Sequence, residues 1–188
     1  SRVIEFNNKR LEDNLDDFCN MHNIELNSEP AVISNSEAQA KELWYIRESI
    51  PEANRLVGAI CSSDVSVPIS NIPSFIELTF KSIKTISSNL QINCFGHLGD
   101  GNIHFNVFPP FGSNKDCFRE IKDDIATLIH ENAIKLNGSF SAEHGVGRLK
   151  VDDLIRYGDS GKLVMMRAVK KALDPNLILN PGVLVADF

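Results

Sequence analysis

The sequence predicts an α+β fold built on an antiparallel sheet. Strand-length apolar runs alternate irregularly with stretches of helical period, and the strongest strand pair is a hairpin. No G-x-G-x-x-G marks a parallel dinucleotide-binding sheet, and Gly145-Val146-Gly147 is too short to pass for one. In chain order, residues 3–6 read as a short strand, and residues 9–22, with Leu11, Leu15 and Phe18 at helical spacing, as an amphipathic helix. Residues 29–34 read as a strand and residues 36–49 as a helix, with Ser34 and Ser36 as cap candidates. Residues 64–68 form a strand-like apolar run, and residues 71–88 a helix opened by Pro73 in its first turn. Residues 92–108 read as a hairpin. Residues 117–136 read as a long helix stopped by Asn137-Gly138, and residues 161–173 as a last helix ended before Pro175.

Composition narrows the function. A chain of 188 residues, 43% apolar, suits one domain with a real core. With 19 Lys and Arg against 25 Asp and Glu, the net charge is −6, and no basic cluster interrupts it, which argues against a nucleic-acid partner. The cysteines, at 19, 61, 94 and 117, form no C-x-x-C pair, so free thiols in a reducing compartment are expected: the cytoplasm, or the mitochondrial matrix in a eukaryote. No apolar run approaches the roughly 20 residues of a membrane span, and no signal-peptide pattern opens the chain. A strand-like run starting almost at Ser1 leaves two expectations, an initiator Met removed before it or a piece cut from something longer, of which the second is favoured.

The chemistry concentrates in residues 94–106, CFGHLGDGNIHFN. Asp-Gly between strand-like runs is a strong hairpin signal. A two-residue turn at Asp100-Gly101 sets His97 opposite His104, with Cβ atoms roughly 5 Å apart on one face. Two imidazoles so placed can grip one metal ion; the same spacing also suits two partners on a half-buried face. Residues 139–150, SFSAEHGVGRLK, add Glu143 and His144 beside Gly145 and Gly147. A carboxylate is a good third ligand beside two imidazoles for zinc or another divalent metal. Neighbours in an extended segment point opposite ways, so one of the pair can bind metal while the other handles a proton. On its own, the segment reads first as a polar pair on a glycine-rich loop.

Together, GHLGDGNIHFN and SAEHGVGRLK resemble the C-terminal domain of the FAD-linked oxidases, in particular the D-2-hydroxyacid dehydrogenases. Residues 43–53 (LWYIRESIPEA), 62–76 (SSDVSVPISNIPSFI) and 173–182 (LDPNLILNPG) resemble further segments of that family. The resemblance implies a ferredoxin-like cap domain, an antiparallel sheet with helices on one face, and a separate N-terminal flavin domain that holds FAD and matches nothing in these residues. It implies a domain that binds substrate and metal in an FAD-dependent dehydrogenase, oxidising a D-2-hydroxy acid to a 2-oxo acid by hydride transfer to flavin. His97, His104 and Glu143 would then be ligands of a divalent metal, zinc first among candidates, and His144 the general base. Arg47 would grip the substrate carboxylate, Asn106 would contact substrate or the flavin edge, and Asn180 would lie in a tail that returns to the flavin.

Plainer readings stand beside these. Arg47 can pair with Glu48 or Glu52, and Asn180 can be a simple turn. Asp100 is expected to shape its turn, His22 and His130 to lie on helix surfaces, and Trp44 to pack in a core or interface. Two departures matter. Ser62 stands where relatives commonly carry a lysine within reach of substrate, and Val183 where they tend to carry another. A less acidic substrate, or weakened activity, would follow from the first. Alone, the chain is expected to be redox-inactive and free of flavin. The competing classes are a non-catalytic metal-binding or interaction module that docks on a separate flavin subunit, and a metal-dependent hydrolase. Partners are a small 2-hydroxy acid and the flavin domain, with a homodimer left open.

Overall fold

The computed structural model describes residue 21 and residues 34–185. The strand expected at 3–6, most of the helix at 9–22, the strand at 29–34 up to residue 33, and His22 lie outside the described residues. The chain divides into two compact units, Ser1–Ala53 and Asn54–Phe188.

Helix α1, Glu37–Val57, begins where the cap candidates place it: Ser36 Oγ accepts the Gln39 N–H at 3.2 Å, and Gln39 Oε1 accepts the Asn35 N–H at 2.6 Å. It runs beyond the expected end at residue 49 and continues through Pro51. The remaining elements are β1 (Cys61–Ser66), α2 (Ile72–Ile86), β2 (Gln91–His97), β3 (Asn102–Phe108), α3 (Lys122–Lys135), α4 (Val151–Tyr157) and α5 (Ser160–Leu173). Strand β1 starts before the expected residue 64, because Cys61 and Ser63 share the buried face of Val65. The long helix expected from residue 117 starts instead as a 3-10 segment, Lys115–Ile121, with Phe118 off helical geometry (φ −113°, ψ 16°). Helix α4 was not legible: seven residues give too few turns for a periodic signal.

The sheet order is β1-β3-β2, all antiparallel. The run β1-α2-β2-β3-α3 with this order is the ferredoxin-like arrangement short of its last strand. Residues 139–142 stand in that strand's place. Ser66 and Ser139 exchange N–H···O bonds of 3.1 and 2.8 Å, and the Ala142 N–H donates to the Asp64 C=O at 3.2 Å. The turn that delivers them is the expected helix stop. Asn137 adopts φ +61°, and the Gly138 N–H donates to the Ala133 C=O at 2.8 Å. A Cβ on Gly138 would sit 2.1 Å from the Ser66 oxygen, so only glycine lets the chain run this close to β1.

One face of the sheet is apolar. Cys61, Val65, Ile103, Phe105 and Val107 alternate inward and pack under α2 and α3. Each helix offers a buried stripe at i, i+4, i+8: Phe75, Thr79 and Ile83 on α2; Ile125, Ile129 and Ala133 on α3. Phe105 is the centre, edge-on to Phe75 at 5.9 Å and to Phe80 at 5.8 Å between ring centroids. His130 corrects its sequence reading. It is buried at 5% exposure against Phe140, with Nδ1 3.2 Å from Asp153 Oδ1, because α4 covers that side of α3. Trp44 is 61% exposed, so of the two expected settings, core or interface, it is not in the core. Among the described residues, no helix is long and apolar enough to cross a membrane.

Phe105→Ala is expected to lower unfolding free energy by about 3–5 kcal/mol, read as a shift of the urea midpoint at unchanged slope. A loss below about 1 kcal/mol would contradict the packing described.

Candidate metal centre

The opposite face of the sheet is polar and gathers in rows. The register lines up Ser62, Asn106 and Asn93, then Asp64, His104 and Phe95, then Ser66, Asn102 and His97. His97 is therefore not directly opposite His104, as the two-residue turn would have it. It pairs with Asn102, and His104 with Phe95. The connection is longer: Leu98–Asp100 form a 3-10 turn closed by Gly101 at φ 73°. The Val67 N–H pins that loop by donating to the Gly101 C=O at 3.0 Å, and a Cβ on Gly101 would lie 2.0 Å from the Val67 oxygen. Asp100 shapes the turn as expected, its Oδ1 accepting from the Asn102 N–H at 3.4 Å. The register differs from expectation by two residues, one full side-chain period, so both histidines stay on one face. Their ring centroids are 6.4 Å apart.

The loop at β1's other edge brings Glu143 to them. Glu143 Oε1 lies 3.3 Å from His97 Nε2, and Oε2 lies 3.6 Å from His104 Nε2. One ligand atom from each of His97, His104 and Glu143 lies within 4.8 Å of the others, and two imidazoles with a carboxylate are a donor set suited to a divalent cation. Phe95 lies against the His104 ring, with centroids 4.9 Å apart and the planes tilted by 35°. His104 is 18% exposed, while His97 and Glu143 are 50% and 42% exposed, which leaves the centre open on their side.

Asp64 lies beneath. Its Oδ2 accepts the N–H of Glu143 at 2.9 Å and of His144 at 3.0 Å; its Oδ1 accepts from Asn102 Nδ2 at 2.6 Å and lies 3.6 Å from His104 Nδ1. Burial alone would raise the Asp64 carboxyl. The hydrogen bonds from His144, Asn102 and Glu143, with His104 nearby, outweigh it and hold the pKa below the usual aspartate value. Asp64, Glu143 and His144 also have potential ligand atoms within 4.8 Å of one another.

Residues 3–184 match the FAD linked oxidases, C-terminal domain. The chain belongs to that family. It is 39% identical over 151 residues to a D-2-hydroxyglutarate dehydrogenase of Xanthomonas citri pv. viticola (80% of this chain, 32% of the relative). It is 37% identical over 155 residues to a D-2-hydroxyglutarate dehydrogenase of Stutzerimonas stutzeri (82% and 33%), and 32% identical over 155 residues to a D-lactate dehydrogenase of Anaerostipes hadrus (80% and 31%). The chain thus spans about a third of the length of these relatives.

In this FAD-linked oxidase domain, His144 borders a cavity of about 430 Å³ that is also lined by Ser62, His104, Asn106, Arg148 and Lys150. Its ring centroid lies 6.4 Å from that of His104. Asn106 is buried at 5% exposure, and its Nδ2 donates to the His104 C=O at 3.4 Å. Lys150 Nζ donates to Ser141 Oγ at 3.0 Å. Burial pulls the Lys150 ammonium pKa down, and Asp64 and Asp153 partly oppose that. Ser62 is exposed, so the cations of this cavity come from the 139–150 loop and not from β1.

Two further predicted site residues, Arg47 and Asn180, line other pockets. Arg47 is on α1 in the first unit, beside a shallow pocket with Ala40, Leu43 and Trp44. Asn180, at φ +46°, makes a turn in which its C=O accepts from the Val183 N–H at 3.2 Å; it lines an apolar groove with Met165, Val169, Leu173 and Leu179. Asp174 holds that tail. It accepts from Lys170 Nζ at 2.6 Å and from the N–H groups of Ile178 and Leu179, both at 3.0 Å. The thiols of Cys61, Cys94 and Cys117 are unpaired; burial pushes Cys94 up to about 12 and also raises Cys61.

Sequence reasoning passed over Asp64, Phe95 and Asn102 as members of the site. The available signal was alternation. Asp64 lies between Ser63 and Val65 on a strand, so its side chain must face the other way and find partners there.

The Lys170 hydrogen bond, helped by those of Leu179 and Ile178, depresses the Asp174 carboxyl below its usual value against the effect of burial. A depressed folded-state pKa gives stability that is complete above the unfolded value, about 3.9, and lost as pH falls through the folded one. Amide protection at Ile178 and Leu179 is therefore expected to fall on acidification through that window. Asp174→Asn should lack that protection at neutral pH and show no further change. Equal protection in both proteins would contradict this role.

Proposed function

We propose that this chain is the substrate- and metal-binding domain of an FAD-dependent dehydrogenase that oxidises a D-2-hydroxy acid to a 2-oxo acid. The observation that carries the reading is the convergence of His97, His104 and Glu143 on one point at the edge of a cavity that His144 borders. The names of the relatives supply the substrate class. His97 and His104, through Nε2, and Glu143 would hold a divalent metal, with zinc the first candidate. A metal there supplies Lewis acidity, making the hydroxyl of a bound 2-hydroxy acid easier to deprotonate. FAD, bound mainly by residues outside this chain, would supply the hydride acceptor.

The chain's own residues do the rest. His144, as a neutral imidazole, takes the proton of the substrate hydroxyl as the C–H pair leaves as hydride, so the alcohol loses one proton and one hydride and becomes the ketone. Asn106 offers a fixed amide to the carboxylate. Arg47 is assigned to the substrate carboxylate, a role that rests on its match to the family's Trp-x-x-Arg-Glu segment. Asn180 is assigned to the flavin side of the tail on the same ground. A domain of this kind, without the flavin-binding part, turns over no substrate.

Equilibrium dialysis should find about one tightly held zinc per chain, lost in the His97→Ala, His104→Ala double variant. Equal zinc in both would overturn the metal assignment. In the flavoprotein that contains this chain, His144→Ala should lower kcat by about 10²–10⁴-fold with zinc content unchanged. An unchanged kcat would remove His144 from the reaction.

A further inference from the structure

We propose that Lys150 reads a second carboxylate on the substrate, so that this cavity takes a dicarboxylic 2-hydroxy acid. The inference rests on the proposed function and narrows the substrate class of the same site. The charged groups that line the cavity, besides its two histidines, are Asp64, Arg148 and Lys150. Asp64 is engaged within the protein, where its oxygens accept from the Glu143 and His144 N–H groups and from Asn102. Among the described residues, neither Arg148 nor Lys150 pairs with a carboxylate. Asp64 and Asp153 act on the Lys150 ammonium only through space. In a chain of net charge −6, this one cavity is left with positive charge that the protein does not compensate. A ligand with more than one anionic group supplies the compensation.

Of the two cations, Lys150 is the one held in place. Arg148 is exposed, whereas Lys150 is half-buried. Its N–H donates to the Val146 C=O at 3.2 Å, and its C=O accepts the Leu154 N–H at 2.9 Å at the start of α4. Its Nζ donates to Ser141 Oγ at 3.0 Å. Ser141 Oγ donates in turn to the His144 C=O, and the Ser141 N–H donates to Ser139 Oγ at 3.2 Å. One serine therefore fixes the ammonium relative to the residue proposed as base. An ammonium has three donors and Ser141 takes one, which leaves two for a ligand. A half-buried ammonium without a counter-ion is costly, and a substrate carboxylate removes that cost. Asn106 is assigned to the first carboxylate and His144 to the hydroxyl. A second carboxylate at Lys150 then uses the rest of a cavity of about 430 Å³, a size usual for small-molecule sites.

The experiment gives the flavoprotein that contains this chain two matched pairs of D-acids: malate with 2-hydroxybutyrate, and 2-hydroxyglutarate with 2-hydroxyvalerate. Within a pair the carbon count is the same, and a methyl stands in place of the second carboxylate. The readout is the ratio of kcat/KM within each pair, which a general loss of activity does not move. A Lys150 that only braced Ser141 would leave that ratio alone. Wild type is expected to favour the dicarboxylate by about 10–100-fold in at least one pair. Lys150→Gln, which keeps a donor for Ser141 and loses the charge, should bring the ratio near one, and so should Lys150→Met. Arg148→Gln should keep the preference, and it decides if neither Lys150 variant folds. A wild type without preference, a preference that survives at Lys150, or one that is lost at Arg148 overturns the proposal. If no acid of either pair is oxidised, the dehydrogenase reading fails. Calorimetric affinities of the same pairs for the same proteins then test Lys150 by the same ratio.

Discussion

Everything at the candidate centre depends on β3 being buried on both faces. Ile103, Phe105 and Val107 go under the helices, so Asn102, His104 and Asn106 must go to the other side. Apolar burial on one face thereby sets the register of the polar face. A slip by one residue would put His104 in the core and Phe105 among the ligands, a cost of several buried aromatic contacts. The hairpin turn can vary in length by a residue pair without harm, because a pair restores the same parity. That is why a register two residues from the expected one leaves both histidines facing Glu143.

The second dependency is at the sheet's edge. A last strand fully paired to β1 would carry its side chains in strict alternation and leave no slack. Here the ladder shrinks to the Ser66–Ser139 bridge and the Ala142 bond, and beyond it the chain is held by the Asp64 carboxylate. Side-chain anchoring replaces main-chain pairing. It lets consecutive residues, Glu143 and His144, serve different sides of His104, one toward the imidazole nitrogens and the other toward the cavity. The cavity and the His97, His104 and Glu143 cluster share His104.

The parts of this architecture that were legible in the sequence share a physical property: each is encoded locally. The Asn137-Gly138 stop, the Ser36 cap and the Pro73 opening are decided by residues within a turn of one another. The hairpin is local too, and its histidines were visible, although turn type was not, since it depends on Val67 from another part of the chain. What was hidden is tertiary. His130 looks like a surface residue on its helix, and only the packing of α4 and Phe140 buries it. Asp64 is one carboxylate in an apolar stretch until residues 79 and 80 positions later give it donors. Cations in the cavity follow the same rule: Ser62 on β1 is neutral, and the loop brings Arg148 and Lys150.

The central claim is that His97, His104 and Glu143 converge on one divalent cation. Its most direct test is an anomalous-scattering map from crystals of this chain grown with zinc. The account predicts a single strong peak about 2.0–2.2 Å from both Nε2 atoms and from a Glu143 oxygen. A map with no peak there, or with the ion on Asp64 instead, would contradict it.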